Sequence, residues 1–277
     1  MKKVDFYILK NNNIKMRQLV FLGTGNGMPI SSSCTSILVE DTKNNILLDT
    51  GGGHDILTNF HKLNRNPTEV NNIFITHYDS DHILGIIPLV RTFHKWEKPR
   101  KRRIFCSKEV KKAIDSLFKY VAKKHYEPVK ETLEFVILKH GMEYGIGKWK
   151  LKFFNIKSRA SPQFGCTIVF PDKTKLAFLG DEPLREYYHG IVMDSDVLIH
   201  EAFCLDKDQD IFKPHAKNHC TVKEAAQNAA LINAKKLALF HMEDRTLKTR
   251  KKKYATEAKK YFNGNIFVPV DCDTFSF

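Results

Sequence analysis

The chain has no apolar run close to the roughly 18–20 residues that a membrane-spanning helix needs, so no membrane partner is expected. It has no C-x-x-C pair. Its six cysteines (Cys34, Cys106, Cys166, Cys204, Cys220 and Cys272) are scattered. Scattered cysteines without an export signal read as reduced thiols rather than a disulfide framework. The apolar part of Met1–Lys10 is too short for a signal peptide, and the expected location is the cytoplasm. There is no internal repeat, long linker or low-complexity tract, which excludes solenoid and fibrous architectures and favours one domain over 1–277. Acidic residues are scarce: 31 Asp and Glu stand against 45 Lys and Arg, a net charge of +14. That balance favours anionic partners such as nucleic acid, nucleotides or phosphate esters, although a solvated Lys-rich surface gives the same number. The excess is clustered in Lys98-Pro99-Arg100-Lys101-Arg102-Arg103 and in a tail holding Lys248, Arg250, Lys251, Lys252, Lys253, Lys259 and Lys260.

A hydrophobic content of 42% supports a real core. Residues 18–22 read as a buried strand before the turn Gly23-Thr24-Gly25-Asn26-Gly27. Residues 35–40 and 45–49 read as a hairpin ending in Asp49-Thr50-Gly51-Gly52-Gly53. Further strands are expected at 72–76, 103–106, 133–138, 149–156, 166–170, 175–179, 196–200 and 236–240. Helical patterns cover 54–64, 83–95, 107–124, 221–233 and 245–262. Thr221 followed by Glu224 is a capping-box signal. The fold class is α+β, and two sheets packed face to face with helices outside, an αββα four-layer sandwich, accommodate this order.

The residues fit for metal binding or acid–base work stand at strand ends. His77, Asp79, Asp81 and His82 fall within six positions after Asn72-Ile73-Phe74-Ile75. Asp181 follows Leu176–Gly180, His241 follows Leu237–Phe240, and His200 and Glu201 end Val197–Ile199. A lone histidine after an apolar strand is usually structural. Several such strand ends, one of them carrying four candidate ligands, suit imidazole nitrogens and carboxylate oxygens converging on a divalent cation. The turn Gly23–Gly27 lacks the helix and lysine of a nucleotide-binding P-loop and reads as a tight turn. Ser31-Ser32-Ser33 either donates to a substrate or faces water. Asp49 either buttresses a metal ligand or caps the chain.

The His77–His82 cluster resembles the H-x-H-x-D-H motif of the metallo-β-lactamase superfamily, and more of the chain resembles its ribonuclease Z-like branch. Phe21–Gly25 is similar to that branch's opening strand and turn, Leu47–Gly51 to its second motif, and Gly180-Asp181 to its metal-bridging aspartate. His200–Phe203 is similar to its H-E-A-T loop, His219-Cys220-Thr221 to its H-S-T loop, and His241 to its last ligand. The resemblance runs in order from about residue 18 to 245 and implies the metallo-β-lactamase fold.

The resemblance implies one metal held by Asp81, His82, Asp181 and His241. For a second metal it leaves only His77, Asp79 and Asp181. Asp79 stands where the motif has a histidine, and residues 154–165 contain none, with Lys157 or Arg159 near the expected place. Carboxylate in place of imidazole hardens that site towards Mn2+ or Mg2+ over Zn2+. Lys157 would repel a second metal, contact a substrate phosphate in its place, or pair with Asp79. The expectation is a divalent metal, Zn or Mn, with one site complete and the second weak or absent. The implied reaction is phosphodiester hydrolysis, with Asp81 orienting or deprotonating water and His219, positioned by Glu201, acting as general acid; without the resemblance His219 reads as a surface loop residue.

The Gly/Pro-rich arm and the P-x-K-x-R-N-like segment of tRNA 3′-processing enzymes are absent, which makes tRNA maturation the less favoured activity. A small phosphodiester or nucleotide fits better, such as the cyclic nucleotides hydrolysed by anti-Pycsar-type relatives. Those relatives also imply a homodimer. The alternative is a catalytically weakened protein that binds a nucleotide or nucleic acid on the same fold.

Overall fold

The computed structural model describes residues 16–98, 100–158 and 161–277. The stretch Met1–Lys10, Pro99 of the first basic cluster and Arg159 lie outside them. The described residues divide into two compact units, one drawn from 16–23, 35–137 and 271–277, the other from 24–34 and 138–270.

The first unit is built on the strands β1 (Gln18–Gly23), β2 (Ser36–Glu40), β3 (Asn45–Leu48), β4 (Asn72–Phe74), β5 (Arg102–Cys106), β6 (Leu133–Ile137) and, from the end of the chain, β14 (Thr274–Ser276). They form one sheet in the order β14-β1-β2-β3-β4-β5-β6. Pairing is antiparallel from β14 to β3 and parallel from β3 to β6. Strand β1 reads as a continuous apolar run although its pairing is antiparallel, and Leu19, Val20, Phe21 and Leu22 are all fully buried. Alternation still sorts them. Val20, Leu22, Leu47, Ile73 and Ile104 share one core cluster with helix residues Phe60, Leu89, Phe93, Val110 and Ile114. Each such side chain contributes about 1.5–3 kcal/mol by leaving water. The helices are α1 (Asp55–Lys62), α2 (Ser80–Ile83), α3 (Ile86–Trp96), α4 (Lys108–Leu117) and α5 (Lys123–Tyr126).

The second unit repeats the plan. Its strands are β7 (Glu143–Ile146), β8 (Trp149–Asn155), β9 (Phe164–Val169), β10 (Lys175–Phe178), β11 (Val197–Glu201), β12 (Lys236–Phe240) and β13 (Asn265–Phe267). They run in the order β13-β12-β11-β10-β9-β8-β7. Strands β7 to β10 pair antiparallel, and β10 to β13 parallel. The helices are α6 (His189–Val192), α7 (Gln209–Phe212), α8 (Val222–Leu231) and α9 (Arg250–Ala258). The capping box of Thr221 and Glu224 is present on α8. All six cysteines are free, and no helix among the described residues is long and apolar enough to cross a membrane.

Three expected helices differ. The run 83–95 is broken between α2 and α3, because the Gly85 amide donates to Gly51 O at 3.0 Å and the chain there touches Thr50. The run 107–124 contains a π-type turn at Phe118–Ala122 between α4 and α5. The basic helix 245–262 shrinks to α9, because the buried Glu243 side chain accepts from the Thr246 amide and hydroxyl and holds the preceding residues in turns. Strands β7, β13 and β14 carry no periodic apolar signal and were not expected from the sequence.

Candidate metal centre

In the first unit the donors follow the carboxyl end of the parallel strand β4, the end at which α/β sheets place ligands. The residues after β3 grip them. Asp49 is fully buried in the left-handed region, at φ 57°. Its carboxylate accepts from the Thr76 amide at 2.8 Å, from the Thr76 hydroxyl at 3.0 Å, and from His82 Nδ1 at 2.8 Å. Thr50 donates from its amide and its hydroxyl to the His82 carbonyl, both at 2.8 Å.

These bonds fix both imidazoles. A carboxylate only accepts, so the proton between His82 and Asp49 sits on Nδ1. Thr76 spends its hydroxyl proton on Asp49, so His77 Nδ1, 2.9 Å from that oxygen, must donate to it. Asp49 therefore sets the tautomer of His82 directly and that of His77 through Thr76. Both rings present an unprotonated Nε2. His82 Nε2 lies 3.1 Å from Asp81 Oδ2, and His77 Nε2 lies 3.6 Å from Asp79 Oδ2. The Asp81 side chain is 12% exposed and that of Asp79 57%, so the Asp81–His82 pair is the more enclosed.

In the second unit the donors follow β10, β11 and β12. Gly180 takes φ 69° and His241 takes φ 58°, turning the chain sharply after each strand. The ligand atoms of Asp181, His219 and His241 all lie within 4.8 Å of one another, and His241 Nε2 is 3.6 Å from Asp181 Oδ2. His219 stacks on Phe203 with centroids 4.9 Å apart and planes 11° apart. Its Nδ1 donates to the Asp181 carbonyl at 2.8 Å. Glu201 Oε2 lies 3.9 Å from His219 Nδ1, beyond a hydrogen bond, while its Oε1 accepts from the Cys220 amide at 2.6 Å. Burial pushes the Glu201 carboxyl well above the usual range, and the Asp181 charge adds to that.

Each unit thus offers imidazole Nε2 atoms facing carboxylate oxygens, those of His77 and His82 in the first and of His241 in the second, with Nδ1 of His77 and His82 committed elsewhere. That donor set fits a divalent cation of the Zn2+ or Mn2+ kind.

The loop before β9 behaves differently from expectation. Lys157 is exposed, in the left-handed region at φ 56°, with its ammonium 4.2 Å from the Tyr187 ring centre. The loop side chain that reaches Asp181 is the buried Gln163, whose amide donates to Oδ1. A neutral amide just before a strand carries no sequence signal; the hint is Gly180, next to Asp181, where an added Cβ would stand 3.0 Å from Gln163 Nε2. The serine loop is also occupied internally. Asp244 accepts from the amides of Ile30, Ser31 and Ser32 and from the Ser32 hydroxyl. Burial raises the Asp244 carboxyl, but those donors outweigh it and the net shift is downward. His200, at the end of β11, is a core residue. Its Nδ1 donates to the Glu201 carbonyl at 2.7 Å and its Nε2 accepts from Asn228 at 3.1 Å.

Three comparisons agree with this picture. Residues 17–263 match the family described as anti-Pycsar protein Apyc1. A ribonuclease Z of Nanoarchaeum equitans is 28% identical over 268 residues, covering 82% of this chain and 84% of its own. Among solved structures, the short form of human tRNase Z superposes with a TM-score of 0.73 at 22% identity, over 94% of this chain and 98% of its own. The metallo-β-lactamase fold protein YhfI of Bacillus subtilis gives 0.73 at 17% identity, over 94% and 99%. These two likenesses establish the fold.

Proposed function

The chain belongs to the family of the anti-Pycsar protein Apyc1, in the ribonuclease Z-like branch of the metallo-β-lactamase superfamily, and from that premise we propose that it is a metal-dependent phosphodiesterase acting on a small phosphodiester such as a cyclic nucleotide. The observation that carries the reading is the fixing of both imidazoles by Asp49, which presents two unprotonated Nε2 atoms beside carboxylates. Asp81, His82, Asp181 and His241 are the proposed ligands of one divalent ion. His77, Asp79 and Asp181 are proposed as a weaker second set, since Asp79 stands where the motif has a histidine and its side chain is 57% exposed. The ion, when bound, supplies Lewis acidity and a nucleophile at neutral pH.

The residues of the chain supply the proton traffic. Asp81 orients the attacking water and takes its proton as the new P–O bond forms. His219, held flat by Phe203 and oriented by the Asp181 carbonyl, gives a proton to the leaving oxygen as the old P–O bond breaks. Glu201 faces the same ring nitrogen at 3.9 Å. A carboxylate there favours the imidazolium, while burial resists its ionisation. Lys157, exposed beside Tyr187, is a candidate contact for a substrate phosphate rather than part of the ligand shell.

The small-substrate reading is supported by residues 108–126, which form α4, the π-type turn and α5, with Val110, Ile114 and Phe118 in the core. A homodimer in the cytoplasm is part of the same proposal. The second reading, a weakened binding protein, draws on Gln163 at Asp181 and on the exposure of Asp79. Hydrolysis of a generic phosphodiester and of cyclic nucleotides, with Mn2+, Zn2+ or Mg2+ added, separates the two. Turnover that disappears in Asp81→Ala supports the enzyme. No turnover with any metal, together with tight binding of the nucleotide, supports the binding protein.

A further inference from the structure

The second unit holds a cavity of about 680 Å3 along α9, lined by none of the proposed metal ligands. Its walls carry Lys207, Lys248, Lys252, Lys253 and Lys260 against one carboxylate, Glu257. That carboxylate is turned inward, accepting from the Asp206 amide at 2.9 Å, and burial raises its pKa. The ion pairs of this region are made by other residues: Lys223 with Asp206, and Arg250 with Asp244. Among the described residues no ion pair engages the five lysines. Helix α9 makes the excess of charge unfavourable. It has no acidic residue in its first turn and no side-chain cap, while Lys248, Arg250, Lys251, Lys252 and Lys253 crowd its positive end. Cations at that end of a helix oppose its dipole, and anions there are stabilising.

We infer that this groove binds a nucleic-acid strand by its phosphates, at a place separate from the metal centre. The spacing decides between an extended and a compact anion. Lys252 stands in the first turn of α9 and Lys260 just past its end, about two helical turns away, with the hydroxyl of Thr256 between them on the groove wall. The charges are strung out rather than converging, which suits linked phosphates better than one compact polyphosphate. A membrane surface is flat and this site is concave. The inference does not rest on the proposed hydrolysis.

The test is fluorescence anisotropy of a labelled 15-nucleotide single-stranded RNA with the full protein, across a salt series, with RNA integrity checked on a gel. Lys252→Ala, Lys253→Ala and Lys260→Ala combined should weaken binding at least tenfold at low salt. The slope of log K against log salt should become shallower by about 2, from three phosphate contacts at about 0.7 each. Hydrolysis of bis(p-nitrophenyl) phosphate and the melting temperature report the metal centre and the fold, and neither should fall. A second variant outside the helix, Lys207→Ala with Lys248→Ala, should also weaken binding. Unchanged affinity and slope in both variants would overturn the inference. So would tripolyphosphate competing as tightly as RNA with no dependence on RNA length. Binding to phosphatidylserine vesicles without binding to RNA would overturn it as well.

Discussion

Replacing Asp49 by Asn tests the claim that one buried carboxylate sets the state of two histidines. Asn tolerates the left-handed backbone at this position, where φ is 57°, so the change removes charge and leaves shape. Asp49 now accepts on both oxygens, from the Thr76 amide at 2.8 Å and from His82 Nδ1 at 2.8 Å. An amide cannot accept on both sides. In one orientation its NH2 faces His82 Nδ1, which drives the proton to Nε2 and removes the lone pair from the ligand face. In the other orientation its NH2 faces the Thr76 amide, donor against donor. The first orientation gives up the metal-facing lone pair; the second leaves one buried donor unmatched, a cost of about 1–3 kcal/mol to the metal-free fold. Metal affinity should fall about 10–100-fold, the range for such supporting residues. Competition titration against a chromogenic chelator measures the affinity, and melting in EDTA measures the fold. If Asp49→Asn matches the parent protein in both, the account of the histidine tautomers is wrong.

His219→Ala should lower turnover by about 100–10,000-fold, the usual contribution of a general acid, with metal content unchanged by elemental analysis. Loss of metal would make His219 a ligand instead. Gly85→Ala should destabilise by more than about 3 kcal/mol in urea unfolding, since its Cβ would lie 1.8 Å from the Thr50 carbonyl oxygen; a variant of ordinary stability would mean that α3 can shift freely. Burial lowers the His200 pKa to about 4, from an unfolded value of 6.5. Because the folded value is depressed, no penalty exists above pH 6.5, and stability is lost as pH falls from there to about 4. The loss amounts to roughly 3 kcal/mol, from about 2.5 units at 1.36 kcal/mol each. Urea unfolding of the metal-free protein should show His200→Asn losing correspondingly less over that window. Parallel pH profiles would refute it.

The strands were legible because their apolar runs are long and uniform, and the ligand residues were legible because they stand directly at strand ends. Asp49 could be read as a support because it closes β3 next to three glycines, and the structure places it on His82. What the sequence concealed depends on contacts between distant segments. The break at Gly85 comes from the Gly51 carbonyl, thirty-four residues earlier. The late start of α9 comes from Glu243 binding Thr246, a local bond that competes with the helix. Gln163 was invisible because its charge is zero and its position is set by the Ile156 amide across the loop before β9. The resemblance implies a histidine or a cation there, and the structure brings Lys157 to Tyr187 instead.

In both sheets the donors leave the carboxyl ends of parallel strands, while the short hairpin connections at 41–44, 147–148 and 170–174 join strands at the opposite ends. The molecule therefore has a working rim and an idle rim within each unit. Changes of length at the idle rim lengthen a turn without displacing an imidazole. Epitopes, fluorophores or affinity handles belong at 41–44 or 170–174. Over evolutionary time those turns can drift in length while the segments at 49–53, 75–82, 180–182 and 241–244 keep their spacing.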